Sequence, residues 1–293
     1  MATETPELLT LHETADRLGV HYMTVYRRVR LGMLPATKVG GQWRVDAADL
    51  AGTERAPGGR RARPAGHTPT RTTKTWRTAP WADRLRARMV AGDGAGSWQV
   101  VEAAMAAGVD PADVYVEVLG PAMHGIGDAW QRGELGIDQE HLATGVALSI
   151  VGRMGPRFRR RGRHLGTVLV AMPTGERHML GAAMLADILA HAGYEVFNLG
   201  ADTPPASLAR AVAAHDDPRA VVITVVDSAR LAAAARLIAA ARRVDGGPPV
   251  IAGGFAVPDA ATARSIGADA WGADPRDLAR LIGELGDRRA RAG

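Results

Sequence analysis

Apolar residues along the chain change their spacing from one region to the next. Leu11, Ala15 and Leu18 recur on one helical face, and Gly19 ends that helix. Thr10 and Glu13 stand at the separation of a capping box. A second helix is expected from His21 to about Leu31, with Val25 and Val29 inward and Tyr22, Met23, Thr24, Arg27 and Arg28 outward. Pro35 stops it, and Lys38 to Val45 then alternates about Gly40-Gly41 as a hairpin wing. Periodicity is nearly lost from Ala51 to Pro80. Helical spacing returns over Ala82–Val90, Trp98–Ala107, Pro111 towards Trp130, and Ile137 to about Met154, which predicts a four-helix bundle. Asp110-Pro111 reads as an N-cap with proline at the first helical position, and Gly120-Pro121 as a perturbation of that helix.

From Gly166 onward, short apolar runs alternate with helical segments. Strands are expected at Thr167–Met172, Glu195–Leu199, Ala220–Val226, Pro249–Ala252 and Ala268–Trp271. Helices fall at Leu180–His191 (amphipathic), Ser207–Ala214, Ala229–Arg243, Ala260–Ile266 and Pro275–Leu285. Such alternation predicts an α/β, Rossmann-like domain with a five-stranded parallel sheet. The expected organisation is a winged helix-turn-helix over 6–50, a basic disordered linker over 51–80, a four-helix bundle over 81–163 and the α/β domain over 164–288.

Charge sharpens the first boundary. The 293 residues carry a net +5. Arg55, Arg60, Arg61, Arg63, Arg71, Lys74 and Arg77 face only Glu54 within 51–80, so that segment is basic and the remainder is close to neutral. It is either a solvated spacer or a spacer that also touches phosphates. A second run of arginines, at 153, 157, 159, 160, 161 and 163, is either a solvated helix end or a contact with anions or a partner subunit. The absence of cysteine excludes disulfides, thiol nucleophiles and Cys-ligated metal. With no apolar run of membrane-spanning length and no signal-peptide pattern at the start, a cytoplasmic protein without a membrane partner is expected.

A helix bearing arginine and short polar groups suits the major groove, and a basic wing suits phosphates. Tyr22, Thr24, Arg27, Arg28, Lys38 and Arg44 are therefore the expected DNA contacts, with a small protein-interaction module as the other reading. This stretch resembles the short winged helix-turn-helix of the excisionase and MerR superfamily.

In a doubly wound sheet, ligands sit at the carboxyl ends of the strands. The first such loop contains Glu176-Arg-His178-Met-Leu-Gly181. A loop histidine by itself is an ordinary surface residue, or else an imidazole aimed into the cleft. Imidazole suits cobalt, and a neighbouring carboxylate fixes its tautomer. Gly181 lets a bulky group approach the helix start, and Gly253-Gly254 ends the fourth strand without side chains. Thr224 and Val226 mark the end of the third.

Glu176-x-His178-x-x-Gly181, Thr224-x-Val226 and Gly253-Gly254 resemble the three signatures of cobalamin-binding domains. Thr-x-Val stands here for the usual Ser-x-Leu and keeps a hydroxyl and an aliphatic group. The resemblance implies His178 as the lower axial cobalt ligand, Glu176 as its carboxylate neighbour, and Thr224 with Gly253-Gly254 along the slot for the nucleotide tail. Trp130, followed after nine residues by Glu140-His141, is similar to the Trp…Glu-His pattern of CarH-like adenosylcobalamin-dependent photoreceptor regulators. These share the order of DNA-binding head, bundle and cobalamin domain. The resemblance implies that Trp130 and Glu140 cap the adenosyl face with His141 in support. The other reading places Trp130 in the core and Glu140-His141 as a helix-start pair.

For function, the resemblance implies that light cleaves the cobalt–carbon bond of bound adenosylcobalamin and thereby changes oligomeric state and DNA binding. A dark homo-oligomer, dimer or tetramer, would hold operator DNA. Where such proteins place a histidine after the tryptophan, as the upper ligand once light has acted, this chain has Gln131, a poor cobalt ligand. His124, His141 or water would then have to serve. Variant photoreceptors of this class also carry a bilin, which stays open here. A light-independent cobalamin-sensing repressor and a corrinoid methyl carrier are the alternatives, the latter normally lacking the DNA-binding head. No enzymatic triad or phosphate loop is read, and none of these regulators would be an enzyme.

Overall fold

The structure is a computed structural model that describes residues 7–18, 25, 28–29, 34–39, 42–50, 80–159, 162–216 and 218–290. The chain divides into two compact units, Met1–Pro69 and Thr70–Gly293.

The first unit holds a three-stranded antiparallel sheet in the order β1 (Leu8–Thr10), β3 (Gln42–Asp46), β2 (Thr37–Val39), with helix α1 (Leu11–Leu18). The capping box forms as spaced: Thr10 N donates to Glu13 Oε2 (2.7 Å), and Glu13 N donates to Thr10 Oγ1 (3.1 Å). The hairpin expected around Gly40-Gly41 is present, with Val39 opposite Gln42. Strand β1 was not anticipated; it lies along β3 with Leu9 opposite Val45. Three residues are too short to show an alternating pattern. Leu11, Ala15, Val25, Val29, Leu34, Val45 and Leu50 form the core. Tyr22, Thr24, Arg27, the wing turn and nearly all of the segment 51–80 lie outside the described residues.

The second unit begins with α2 (Trp81–Val90) and α3 (Gly94–Ala106). Asp93 caps α3 by accepting from Gly96 N (2.8 Å). The next helical run opens at Pro111–Asp113, where Asp110 accepts from Ala112 N as N-cap. It widens to a π segment over Val114–Leu119 and continues as α4 (Gly120–Gln131). The perturbation expected at Gly120-Pro121 thus appears in the turn before it. Pro121 has no N–H for the carbonyl of Glu117, and the π turn absorbs the lost bond. Helix α5 (Ile137–Met154) completes the bundle. Leu85, Met89, Val101, Val118, Leu119, Ile126, Ala147, Ile150 and Met154 fill its core.

The α/β part follows: β4 (Thr167–Ala171), α6 (Met179–His191), β5 (Glu195–Asn198), α7 (Pro205–Ala213), β6 (Ala220–Thr224), α8 (Leu231–Arg242), β7 (Val250–Gly253), α9 (Ala260–Ser265), β8 (Ala270–Gly272) and α10 (Leu278–Ala290). The five strands are all parallel, in the order β5-β4-β6-β7-β8. Alternate residues of each strand serve opposite faces. Val168, Val170 and Val222 pack with Leu185 and Leu189 of α6 and Ile282 of α10. Leu169, Ala171, Val221 and Ile223 pack with Leu208, Leu237 and Ile238 on the other side. Helix α6 is apolar on two faces rather than amphipathic as expected, because it is covered twice. Its Ile188 belongs to the bundle core, while Leu185 and Leu189 face the sheet. No described helix is long and apolar enough to cross a membrane.

Two polar clamps bind bundle to sheet domain. Arg276 donates to Asp113 Oδ1 (2.6 Å) and Glu117 Oε1 (3.1 Å) while paired with Asp274. Tyr115 donates from its hydroxyl to Asp187 Oδ2 of α6 (2.7 Å). Both clamps grip the π segment or the turn just before it.

Candidate cobalamin site

The strand order places a switch point between β4 and β6. The chain leaves β4 for β5 on one side, and β6 lies on the other. Loops leaving these two strands diverge and open a crevice, the usual ligand position in doubly wound sheets. The loop after β4 carries Glu176 and His178, and the loop after β6 carries Val226 and Asp227.

Glu176 is 1% exposed and ties the two loops together. Its Oε2 accepts from Val226 N and Asp227 N, both at 2.8 Å. Its Oε1 accepts from Arg177 N (3.0 Å), His178 N (3.3 Å) and His178 Nδ1. Burial pushes the Glu176 carboxyl up, but the hydrogen bonds from His178, Asp227 and Val226 outweigh it and hold it down at about 2. An ionised carboxylate can only accept, so Nδ1 of His178 carries the proton and Nε2 is the nitrogen with a lone pair to offer. The imidazole itself is 62% exposed. Its affinity for protons is raised, chiefly by the Glu176 hydrogen bond, against the opposing effect of burial and with added attraction from Glu176, Asp227 and Glu140. Glu140, in the first turn of α5, is thus near enough for its charge to act on this histidine.

Val226 thus takes part through its backbone N–H rather than its side chain. Thr224 is buried at the end of β6, opposite Gly253 of β7 in the register. A Cβ on Gly253 would stand 2.7 Å from the Gly272 carbonyl, and one on Gly254 (φ +95°) would stand 2.9 Å from Thr224 Oγ1. The pair is therefore required by its own neighbours, beyond any slot it lines. Gly181, in the first turn of α6, has nothing within 4 Å of where a Cβ would be, so the helix start is open as expected. An oriented imidazole, an open helix start and a side-chain-free strand end fit a large planar ligand with a metal at its centre.

On the bundle side, Trp130 is 43% exposed at the end of α4, so it is not a core residue. Gly136 is the N-cap of α5 and donates its N–H to Gln139 Oε1 (3.0 Å). Gln139 thus closes the helix start, and Glu140 lies beside it in the first turn. Glu140 accepts from Thr144 Oγ1 (2.9 Å), and His141 lies 3.7 Å from its carboxylate, largely exposed. The ring of His124 lies 5.6 Å from that of Phe255, just past the glycine pair, so α4 also meets the strand ends. In the head, Val25 and Val29 are buried as expected, Arg28 and Arg44 are half-buried, and Lys38 lies in β2.

Sequence reasoning missed Asp202 and Arg230 at this crevice. Asp202 Oδ1 accepts from Gly175 N (2.7 Å), and the Arg230 guanidinium lies where a Cβ on Gly175 would fall. The Gly200–Pro205 loop stands out in the sequence by its position alone, and nothing there distinguishes Asp202 from a solvated aspartate.

Compared with known families, residues 166–279 match a B12 binding domain, residues 81–154 a second B12 binding domain, and residues 8–51 a helix-turn-helix domain. The chain is 33% identical over 138 residues to the HTH-type transcriptional repressor CarH of Myxococcus xanthus, covering 46% of this chain and 44% of that protein. It is 23% identical over 144 residues to monomethylamine corrinoid protein 2 of Methanosarcina acetivorans, covering 48% of this chain and 66% of that protein. It thus spans between about half and two thirds of the corrinoid proteins it matches. The Methanosarcina barkeri monomethylamine corrinoid protein shares the fold, with a TM-score of 0.62 at 20% identity over 70% of this chain and 98% of that one. The chain thus carries a helix-turn-helix domain followed by two B12 binding domains, and over part of its length it is similar to CarH.

Proposed function

We propose that the protein is a regulator whose grip on operator DNA depends on the state of adenosylcobalamin held between bundle and sheet, with light as the signal. The observation that carries this reading is His178, held by Glu176 at the switch point, in a chain that also has a helix-turn-helix domain. Bound adenosylcobalamin would supply visible absorption and a light-sensitive cobalt–carbon bond. His178 Nε2 is the cobalt ligand from the sheet side, and Glu176 fixes its tautomer and position. Thr224, Gly253 and Gly254 border the slot for the nucleotide tail. On the far side, the exposed indole of Trp130 covers the ring and keeps water out, and Glu140 accepts hydrogen bonds from sugar hydroxyls or amine. His141 supports Glu140. Arg28, Arg44 and Lys38, with Tyr22, Thr24 and Arg27, contact DNA. A homo-oligomer, dimer or tetramer, adds the affinities of several heads, so its loss weakens DNA binding.

Full-length protein loaded with adenosylcobalamin in the dark tests this by size exclusion and operator binding, before and after green light. The expected result is a coloured oligomer that binds DNA and a smaller, weakly binding species after illumination. Absence of corrinoid uptake overturns the proposal. Uptake without a light response supports the supply-sensing repressor instead. The similarity to monomethylamine corrinoid proteins favours a second reading, a methyl carrier. Transfer of a cobalt-bound methyl group to a thiol or folate acceptor, with no DNA binding, would establish it.

A further inference from the structure

Asp202 is the one residue other than glycine with a positive φ among the described residues (φ +51°). Left-handed backbone is unfavourable for an L-residue, least so for Asp and Asn. What the conformation achieves is a two-point clamp on the peptide groups either side of the Gly175–Glu176 bond. Asp202 Oδ1 accepts from Gly175 N (2.7 Å), and Asp202 N donates to the carbonyl of Glu176 (3.0 Å). Both bonds flank the peptide that precedes the Glu176 side chain. The loop carrying Asp202 is itself joined to the end of β4, through Met172 N to Gly200 O (3.1 Å) and Thr203 N to Met172 O (3.0 Å). Glu176 in turn reaches the loop after β6 by its Oε2 and His178 by its Oε1. Three loops, after β5, β4 and β6, are therefore cross-linked in series, and His178 hangs from Glu176 on the middle one.

The geometry points to Asp202 as a positioning residue for the axial histidine: it fixes the Gly175–Glu176 peptide so that Glu176 holds His178 aimed into the crevice. This deepens the cobalamin reading and rests on His178 being the cobalt ligand. Asp202 is exposed and its bonds go to the backbone of the loop, so its effect passes through that loop.

Full-length wild type and the variants Asp202→Ala, Asp202→Asn and Asp202→Gly provide the test. Each is loaded with adenosylcobalamin, and its affinity is measured. The cob(II)alamin form is then read by electron paramagnetic resonance with 15N-histidine-labelled protein. A protein imidazole on cobalt changes the nitrogen splitting from triplet to doublet. Wild type is expected to show the doublet. Asp202→Ala lowers affinity about tenfold and depletes the doublet, the size expected for one charge-assisted hydrogen bond. Asp202→Asn restores both, since its amide oxygen accepts from Gly175 N and Asn tolerates the left-handed region. Asp202→Gly relieves the backbone but lacks the acceptor, so it behaves as Asp202→Ala does.

Hydrogen exchange at the amides of Gly175 to His178 in the unloaded protein is the second measurement. Exchange should quicken in Asp202→Ala and Asp202→Gly and not in Asp202→Asn. Wild-type affinity, doublet or exchange in Asp202→Ala overturns the inference, as does rescue by Gly but not by Asn. A wild type that takes up no corrinoid defeats the cobalamin reading, and one that takes it up without the doublet defeats His178 as the cobalt ligand. The exchange result still decides whether Asp202 holds the loop.

Discussion

Glu176 and His178 are two residues apart and sit at opposite extremes of exposure, so their substitutions should separate stability from ligation. The His178 imidazole is largely exposed and hydrogen-bonds only through Nδ1 among the contacts at this site. His178→Ala takes one hydrogen bond from the buried Glu176 carboxylate and should cost about 1 kcal/mol, while abolishing the protein-nitrogen signal on cobalt. Glu176→Ala removes the acceptor of Val226 N and Asp227 N and strands buried donors. It should cost roughly 2–4 kcal/mol and also loosen the corrinoid. Urea unfolding of the unloaded proteins, beside absorption spectra of the loaded ones, checks both. Equal destabilisation by the two substitutions would refute this division. The sequence discloses both residue types and their spacing, because chemistry at a loop survives in the letters. It does not disclose that Glu176 grips the loop after β6, since contacts between residues fifty positions apart leave no local pattern.

Elements were legible where one repeat served one surface. The buried strands β4, β6 and β7 and the bundle helices fall within a few residues of their expected bounds, and Asp93, Asp110 and Thr10 cap helices through side chains placed for that purpose. Helix α6 departs from the expected amphipathic pattern because sheet and bundle both claim it, and strand β1 is too short to carry a pattern. The contact between α6 and the bundle has a pH signature. Burial raises the Asp187 carboxyl above its ordinary 3.8, and the Tyr115 hydrogen bond and the Arg159 charge only partly offset this. A carboxyl that holds its proton more firmly when folded favours the fold under acid conditions. That contribution is present below the unfolded value and is lost as pH rises through the folded one. Asp187→Asn keeps an acceptor for Tyr115 and removes the titration. It should match or exceed wild type at neutral pH, by up to about 1 kcal/mol, and lose that margin in acid. Thermal unfolding across the acid range measures it. A variant weakened most at neutral pH would show that the charge itself stabilises the contact.

At the scale of the molecule, two compact units share one chain, and the basic segment 51–80 lies across the boundary between them. Under the proposed function, DNA affinity and corrinoid binding would rest on separate sets of residues, and a substitution in one set should leave the other intact. Arg28 is helical and half-buried beside Val29, and Arg44 lies on β3 of the wing. If each meets a phosphate, Arg28→Ala and Arg44→Ala each reduce the slope of log affinity against log salt by roughly 0.9. A base contact would instead relax sequence preference and leave the slope nearly unchanged. Neutralising Arg60, Arg61 and Arg63 together distinguishes the two readings of the basic segment. A spacer leaves the slope as it was, and a phosphate-touching tether lowers it by up to about one per arginine. Fluorescence anisotropy of full-length loaded protein on operator and unrelated DNA, over a salt series, reads slope and preference together. The cobalt absorption of the same samples is the control. If the head substitutions shift that spectrum, the units are coupled inside one protomer, and oligomer assembly is no longer needed to carry the signal from the corrinoid to the DNA.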